Sequence, residues 1–386
     1  AISRRYRERE NHISSDSWPI YISLQKDGIL FKMRRTQDLP DKESATMFFQ
    51  DCKLAHQAQI TGISHSVKEI LPPDLLDLTQ LQKEANIRYG FTASEVYDIA
   101  QSLYEKKLIS YPRTSSRYLT EDVFDSLPPI MACLLSWELF PAAKGTGGID
   151  ISNLSRHVIS AEKANVHHAI IITGIRPGNL SEKEMQVYRL VAGRMLETFM
   201  APCRIETTNV EAVCAAQHFK AEQTRIIEAG WHDVFMRYDM IPTSGYSVKE
   251  LPEVEKGDTL NVCGCNMVHK KELPVDPFTD AELVEYMELN GLGTVSSRTN
   301  IIRTLVNRKY IRYSGKYIVP TPKGMFTYET IRGKKIADTS LTADWEKQLA
   351  GLESGMITGQ DFLNRIRTLA KEMTDDIFNT YSTKEE

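Results

Sequence analysis

Hydrophobic and polar positions divide the chain into stretches of two kinds. In YISLQ (21–25), ILFKM (29–33) and QAQITGISHSVKEI (57–70) apolar residues recur about every second position, the spacing of a strand with one buried face. Lys26-Asp27-Gly28 separates the first two and predicts a β-hairpin with Asp-Gly at its tip. ESATMFFQDC (43–52) predicts a short helix, and Pro72-Pro73 ends this mainly β opening. The period then lengthens. LTQLQKEANIRY (78–89) predicts a helix stopped by Gly90, and a second begins after Thr92, which stands at capping-box spacing from Glu95. Its apolar residues Val96, Ile99, Ala100, Leu103 and Leu108 lie near a 3.6-residue period. Leu108 and Ile109 predict a short strand carrying Tyr111 at its end, which completes a helix-turn-helix-like unit.

Residues 121–160 are mixed, with a break at Pro128-Pro129 and a flexible KGTGG run at 144–148. That run is no phosphate loop, because no strand precedes it and no Lys-Ser/Thr follows. Ser181 and Glu184 cap a long helix (181–200) closed by Pro202. Strand text returns at 205–213, 218–227 and 259–263, so a β section brackets a helical insert. From Pro277 onward the text is helical, broken by a hairpin turning at Ser314-Gly315 that resembles the wing of a winged helix, and it ends in two amphipathic helices (341–355, 361–378). Residues 1–12 are charged and finish a helix.

At 386 residues the chain exceeds one ordinary core, and about two to four domains are expected. Hydrophobic residues at 41% and charged residues at 25% are ordinary for a globular protein. No apolar run approaches the roughly 20 residues of a membrane span, and the start carries no signal core. Six scattered cysteines suit reduced thiols in a cytoplasm. Cys263, Cys265 and His269 are close in sequence, but the one-residue gap is unusual for zinc and the text reads as strand, so no metal site is assigned. The net charge of −4 gives no global sign of nucleic-acid binding. Locally the picture changes. Arg298, Arg303, Arg308, Lys309, Arg312, Lys316 and Lys323 fall in a stretch with no Asp or Glu, behind Gly291, Gly293, Thr294, Ser296 and Ser297 at a helix start. Free N–H groups at such a start attract phosphate.

The candidate chemistry lies in KLISYPRTSSRYL (107–119). Pro112 holds Tyr111 extended, and Arg113 and Arg117 follow closely. A phenol beside guanidiniums can attack a phosphodiester, since cations stabilise the charge that develops on phosphorus. Taken alone, Tyr111 is one tyrosine of sixteen. The whole run 77–119, however, resembles the active-site region of type IA DNA topoisomerases, and is most similar to the bacterial topoisomerase III branch. EKANVHHAIIITG (162–174) resembles that family's Lys-x-x-x-His-His-Ala-Ile-Ile-Pro-Thr pattern, with Ile172 in place of proline. GLGTVSSR (291–298) resembles its Gly-Ile-Gly-Thr-Pro-x-Thr-Arg motif, with Val295 in place of proline. Gly230-Trp231 and LTADWEKQL also fit the family's wording.

The resemblance implies an ATP-independent isomerase that cleaves single-stranded DNA through a 5′-phosphotyrosine link, passes another strand and reseals the first. It implies Tyr111 as nucleophile, Arg113 on the scissile phosphate and His167 in proton transfer or phosphate contact. Two adjacent histidines on extended chain point to opposite sides, so at most one of His167 and His168 faces the site. Lys107, Arg117, Lys163, His168, Gly293, Thr294, Ser297, Arg298 and Arg303 are the expected DNA contacts. The expected fold is α+β and multidomain: a mainly β arch-like domain interrupted by the helical catalytic domain, then a mostly helical winged-helix-like domain. The ranges are 1–12 (part of domain IV), 13–70 and 207–266 (β domain II), 71–206 (tyrosine domain III) and 267–386 (domain IV).

Two departures stand out. Ser115 replaces the family's usual Asp, and no Asp-x-Asp occurs anywhere in the sequence. The family binds Mg²⁺ through such a group on an N-terminal Toprim domain. The chain is therefore expected to be an inactive fragment that holds no metal itself, drawn from a cytoplasmic, monomeric, non-membrane enzyme. A catalytically inert DNA-binding module on the same fold is the alternative. A tyrosine recombinase is unlike it in order, because Tyr111 precedes His167 and Arg298.

Overall fold

A computed structural model of the chain describes residues 1–137, 139–140, 149–164, 167–236 and 244–382. The glycine-rich run at 144–148 lies outside the described residues. Helices and sheets mix along the chain, and the class is α+β. The chain opens with α1 (Ile2–Glu10) and the short strand β1 (Asp16–Ser17). Six longer strands follow: β2 (Ile20–Lys26), β3 (Ile29–Arg35), β4 (Gln57–Ile70), β5 (Cys203–Cys214), β6 (Gln217–Glu228) and β7 (Thr259–Met267). They close into an antiparallel barrel in the order β2-β3-β6-β5-β4-β7.

Alternation decides what fills the barrel. Ile20, Ile22, Leu24, Phe31, Met33, Ile60, Val210, Ala212 and Phe219 point inward and are buried together. The β2–β3 turn has Asp27 and Gly28 at φ +49° and +80°, as a type I′ hairpin requires. A helix, α2 (Lys42–Leu54), covers β7 and β2 and is capped by Asp41, whose carboxylate accepts from the Ser44 N–H at 2.7 Å.

All of the tyrosine-bearing chain is inserted between β4 and β5, which pair from Gln59↔Val213 to Ile70↔Cys203. Its two connections meet at Gly230-Trp231. Gly230 has φ +54°, and a Cβ there would stand 2.4 Å from the Pro202 carbonyl oxygen. The Trp231 indole donates to the Ile70 carbonyl at 3.0 Å, pinning the other connection. The insert holds α3 (Leu78–Tyr89), α4 (Ala93–Glu105), α5 (Glu121–Asp125), α6 (Leu127–Ser136) and α7 (Glu182–Phe199). Leu81, Ala85, Val96, Ala100, Leu103, Val187, Val191 and Met195 form its core.

Two local expectations are corrected. Pro128-Pro129 does not break the chain; the pair lies in the first turn of α6, where the missing N–H groups have no helical partner to lose. Nor do Leu108 and Ile109 make a strand. Ile109 forms a single antiparallel bridge with Ile172, and the next N–H, of Ser110, reaches the Ile171 carbonyl at 2.8 Å. Pro112 has no N–H with which to continue a ladder.

After β8 (Lys270–Lys271), which pairs with β1, come β9 (Phe278–Thr279), α8 (Asp280–Leu289), α9 (Val295–Asn307), β10 (Ile311–Ser314), β11 (Tyr317–Pro320) and α10 (Pro322–Ile331). The last three strands form one sheet in the order β10-β11-β9. Against it packs α1: Arg5 lies 3.4 Å over the Phe278 ring, and Arg7 pairs with Glu329 at 2.6 Å. The chain ends in α11 (Thr339–Glu353) and α12 (Gly359–Ser382). Among the described residues no helix is long and apolar enough to cross a membrane. Cys263 and Cys265 lie on β7, while His269 stacks on Trp18 and bonds Asp16 at 2.7 Å.

One carboxylate straps α7 to α4. Glu184 closes the α7 capping box with Ser181 and also accepts from Lys106 at 2.5 Å and Ser102 at 2.7 Å. Lys106, then Ser102 and the Ser181 backbone, draw its pKa from 4.5 down to about 2. A lowered folded pKa contributes stability above the unfolded value and loses it as pH falls through the folded one. Urea unfolding should therefore show Glu184→Gln less stable than the parent at neutral pH. The gap should close as pH drops from 4.5 toward about 2.

Candidate functional site

The site is a loop stitched at many points rather than a strand end. The Ser110 hydroxyl donates to the Ala169 carbonyl at 3.1 Å, and the Thr114 hydroxyl to the His167 carbonyl at 3.0 Å. Leu78 N–H reaches the Thr114 carbonyl at 3.1 Å, and Ala169 N–H reaches the Tyr118 carbonyl at 2.9 Å. Thr114 and Ser116 are buried, so these bonds satisfy groups that water cannot reach. The result fixes Tyr111 against chain 167–172.

Tyr111 lies between two rings. His167 is tilted against it at 4.5 Å between centroids, and Tyr104 of α4 meets it edge-on at 5.4 Å. His168 turns away and bonds the Ala169 carbonyl through Nδ1 at 2.7 Å. Arg113 folds back on the same helix: its guanidinium lies 5.0 Å over the Tyr97 ring and donates to Gln101 Oε1 at 3.2 Å. Its Nε is buried with no hydrogen-bond partner among the described residues. Tyr97, Gln101 and Tyr104 are spaced i, i+4, i+7 and form one stripe of α4. Sequence reasoning missed this stripe. Its signal was there, as polar and aromatic residues each one position after Val96, Ala100 and Leu103, on the stripe beside the buried one.

Other expected contacts fall around this centre. Arg117 donates to Asp77, the N-cap of α3, at 2.6 Å. Burial opposes the Arg117 charge, but Asp77 outweighs it and the guanidinium pKa is raised. Lys163 sits 4.5 Å over the Tyr118 ring, with Nζ 3.2 Å from its hydroxyl. Lys107 is exposed at the end of α4 with φ +61°, and its carbonyl accepts from the Thr173 hydroxyl at 2.6 Å.

Across the α3–α8 junction stands the start of α9. Gly291 and Gly293 have φ +62° and +70°, and the Ser297 hydroxyl accepts from the Thr294 N–H at 2.8 Å. A Cβ at Gly293 would lie 2.9 Å from both Ser297 Oγ and Ile301 Cδ1. Arg298 is 8% exposed, with Nη1 on Thr79 at 3.2 Å and Glu288 at 3.3 Å. Arg303 bonds Ser94 and pairs with Asp98 at 2.7 Å. Both guanidiniums are thus engaged in packing α9 on the tyrosine unit. The exposed cations of the run are Arg308, Lys309, Arg312, Lys316 and Lys323.

The residues around Tyr111 do not suit a divalent metal. Asp77 is taken by Arg117 and Glu288 by Arg298 and Thr79, and no group of three ligating side chains is placed to hold an ion among the described residues.

The DNA topoisomerase family profile matches residues 1–364. The chain belongs to that family. It is 31% identical over 344 residues to DNA topoisomerase 3 of Bacillus licheniformis, covering 83% of this chain and 47% of the relative. It is 30% identical over 355 residues to DNA topoisomerase 3 of Bacillus subtilis, covering 85% and 48%. The chain thus spans about half the length of these curated topoisomerases. The full-length topoisomerase I structure from Thermotoga maritima shares the fold at TM-score 0.73 and 22% identity, over 96% of this chain and 61% of that one.

Proposed function

We propose that this chain carries the nucleophile and part of the strand-holding surface of a type IA topoisomerase of the topoisomerase III kind. The Tyr111 oxygen attacks a backbone phosphate of single-stranded DNA. A P–O bond to tyrosine forms, the P–O3′ bond breaks, the phenolic proton leaves and the released 3′ oxygen takes up a proton. The reverse step reseals the strand without a nucleotide, since the phosphotyrosine link conserves the bond energy. What carries this reading is the Tyr111–His167 ring contact beside Arg113, whose buried Nε lacks a partner among the described residues. An unsatisfied buried N–H costs stability unless a ligand uses it, and a phosphate oxygen is such a ligand. His167, whose ring touches that of Tyr111, is read as the group that exchanges the phenolic proton. Mg²⁺, implied by the family, has no ligand set among the described residues. The barrel with its inserted helical unit is read as the family's arch, and α8, α9 and the three-stranded sheet as its winged-helix-like part.

Covalent capture of an end-labelled oligonucleotide on a denaturing gel tests the chemistry. With a 5′-phosphotyrosine link, a 3′ label travels with the protein and a 5′ label does not; the opposite result would refute the polarity. His167→Ala should slow capture by roughly 10²- to 10⁴-fold, the usual share of a positioned acid or base.

The exposed cations give a separate expectation. Lys309→Ala with Arg312→Ala should weaken single-strand binding regardless of sequence. It should flatten the log–log salt dependence by about 0.7 for each phosphate that is no longer neutralised. A titration at several salt concentrations reads this directly. Arg298→Ala should instead loosen the α3–α8–α9 junction, because it leaves Glu288 with Thr79 but without its counter-charge.

A further inference from the structure

The outer wall of the barrel carries a second feature that the tyrosine chemistry does not use. Tyr21 on β2 and Leu30, Lys32 and Arg34 on β3 alternate with the inward-facing core residues and so lie on the outside. Segment 244–250 hangs over them. It is held to β6 by the Glu222 N–H on the Tyr246 carbonyl (2.9 Å), the Val248 N–H on the Glu222 carbonyl (2.8 Å), and Gln223 Nε2 on the Lys249 carbonyl (3.0 Å). Between wall and segment lies a cleft of about 450 Å³, within the range of about 300–1,000 Å³ for small-ligand sites.

The cleft is built, not merely left over. The Tyr246 hydroxyl donates to the Thr36 carbonyl at 3.1 Å, and the Arg34 guanidinium lies 5.6 Å from its ring centroid. Arg34 can approach because Gly245 has no side chain: a Cβ there would meet Nη1 at 2.6 Å. Arg34 is balanced by Asp38 at 2.5 Å, and Glu250 lines the same cleft. Lys32 and Lys249 are exposed and have no acidic partner among the described residues. Two cations thus stand beside two tyrosine rings and an exposed leucine. Single-strand sites combine these parts: cations follow the phosphates while aromatic faces take the bases. An acidic peptide would use the lysines and leave the rings idle.

We propose that this cleft binds one nucleotide of single-stranded DNA, at a place separate from Tyr111. The proposal takes from the preceding reading only that DNA is the ligand. The phosphate is held by Lys32 and Lys249, and the base rests against Tyr21 and Tyr246.

Photo-cross-linking of the whole chain to an oligothymidine bearing 5-iododeoxyuridine, with mass-spectrometric mapping, tests it. Cross-links are expected at Tyr21 or Tyr246. Lys32→Glu with Lys249→Glu should reduce them about tenfold, since two phosphate contacts become repulsive, while links near Tyr111 and α9 persist. Gly245→Ala, which displaces only the tip of Arg34, should also lower them with an unchanged circular dichroism spectrum. No link at either tyrosine, or links undiminished by the charge reversals, would overturn the cleft. Links at the cleft with none near Tyr111 or α9 would support the cleft and sink the topoisomerase reading instead.

Discussion

Tyr111→Phe should abolish covalent capture of a single-stranded oligonucleotide by the natural protein that carries this chain, while leaving non-covalent binding near its original strength. The substitution removes the attacking oxygen and nothing else. The ring, with its contacts to His167 at 4.5 Å and Tyr104 at 5.4 Å, stays in place, and the loop is fixed by Ser110 and Thr114 rather than by the phenol. Denaturing gels measure capture, and filter binding or anisotropy measures affinity. Capture that survives in Tyr111→Phe would mean another nucleophile. Equal loss of capture and affinity would mean that Tyr111 serves binding alone, which is how the inert-module alternative would behave. Adding Mg²⁺ to this chain by itself tests the metal requirement: the chain alone is expected to form no adduct with or without the ion, because its described residues offer Mg²⁺ no ligand set.

The largest effect on stability is expected at Arg194, deep in α7. Its guanidinium bonds Glu197 at 2.9 Å, Glu84 of α3 at 2.9 Å and the Asp74 carbonyl at 3.2 Å. Glu197 is fully buried. Removing one partner of a buried charge network leaves the other charges desolvated, which costs about 3–5 kcal/mol, whereas an exposed pair is worth about 0–1 kcal/mol. Arg194→Ala should therefore lower the unfolding free energy by about 3–5 kcal/mol in urea titration. Lys183→Ala, which breaks the exposed pair with Glu95, should change it by less than about 1 kcal/mol. Because α3 packs on α7 and holds the Tyr111 loop through the Leu78 N–H on the Thr114 carbonyl, Arg194→Ala should also reduce capture at temperatures where Tyr111→Phe remains folded.

Much of the secondary structure is legible in the sequence because its causes are local. Asp27-Gly28 can turn a hairpin in either context, since both residues tolerate positive φ. Thr92 with Glu95, and Ser181 with Glu184, form capping boxes from residues three positions apart. The two local errors share one source. At Leu108-Ile109 and at Pro128-Pro129 average residue preference points the wrong way. The outcome turns on one backbone N–H at each place: which carbonyl it reaches, or whether a partner is needed at all.

For the site, the sequence by itself determined the chemistry available: a tyrosine ahead of Pro112 and Arg113, a histidine pair, and a glycine-led helix start followed by cations. It also carried the family resemblance, since motif wording survives without coordinates. Only the tertiary structure decided which groups meet. Periodicity shows that β4 and β5 are strands, but not that they pair with each other across an inserted helical unit. It places Arg298 and Arg303 on a helix, but not against Glu288 and Asp98. That choice depends on how α9 packs on α3, α4 and α8. The aromatic stripe of α4 likewise became a wall of the site only when the 111–113 loop folded back over it. The physical reason is range. Backbone preference and capping act over a few residues, whereas an ion pair or ring contact exists only once the packing of distant elements brings its two halves within a few ångströms.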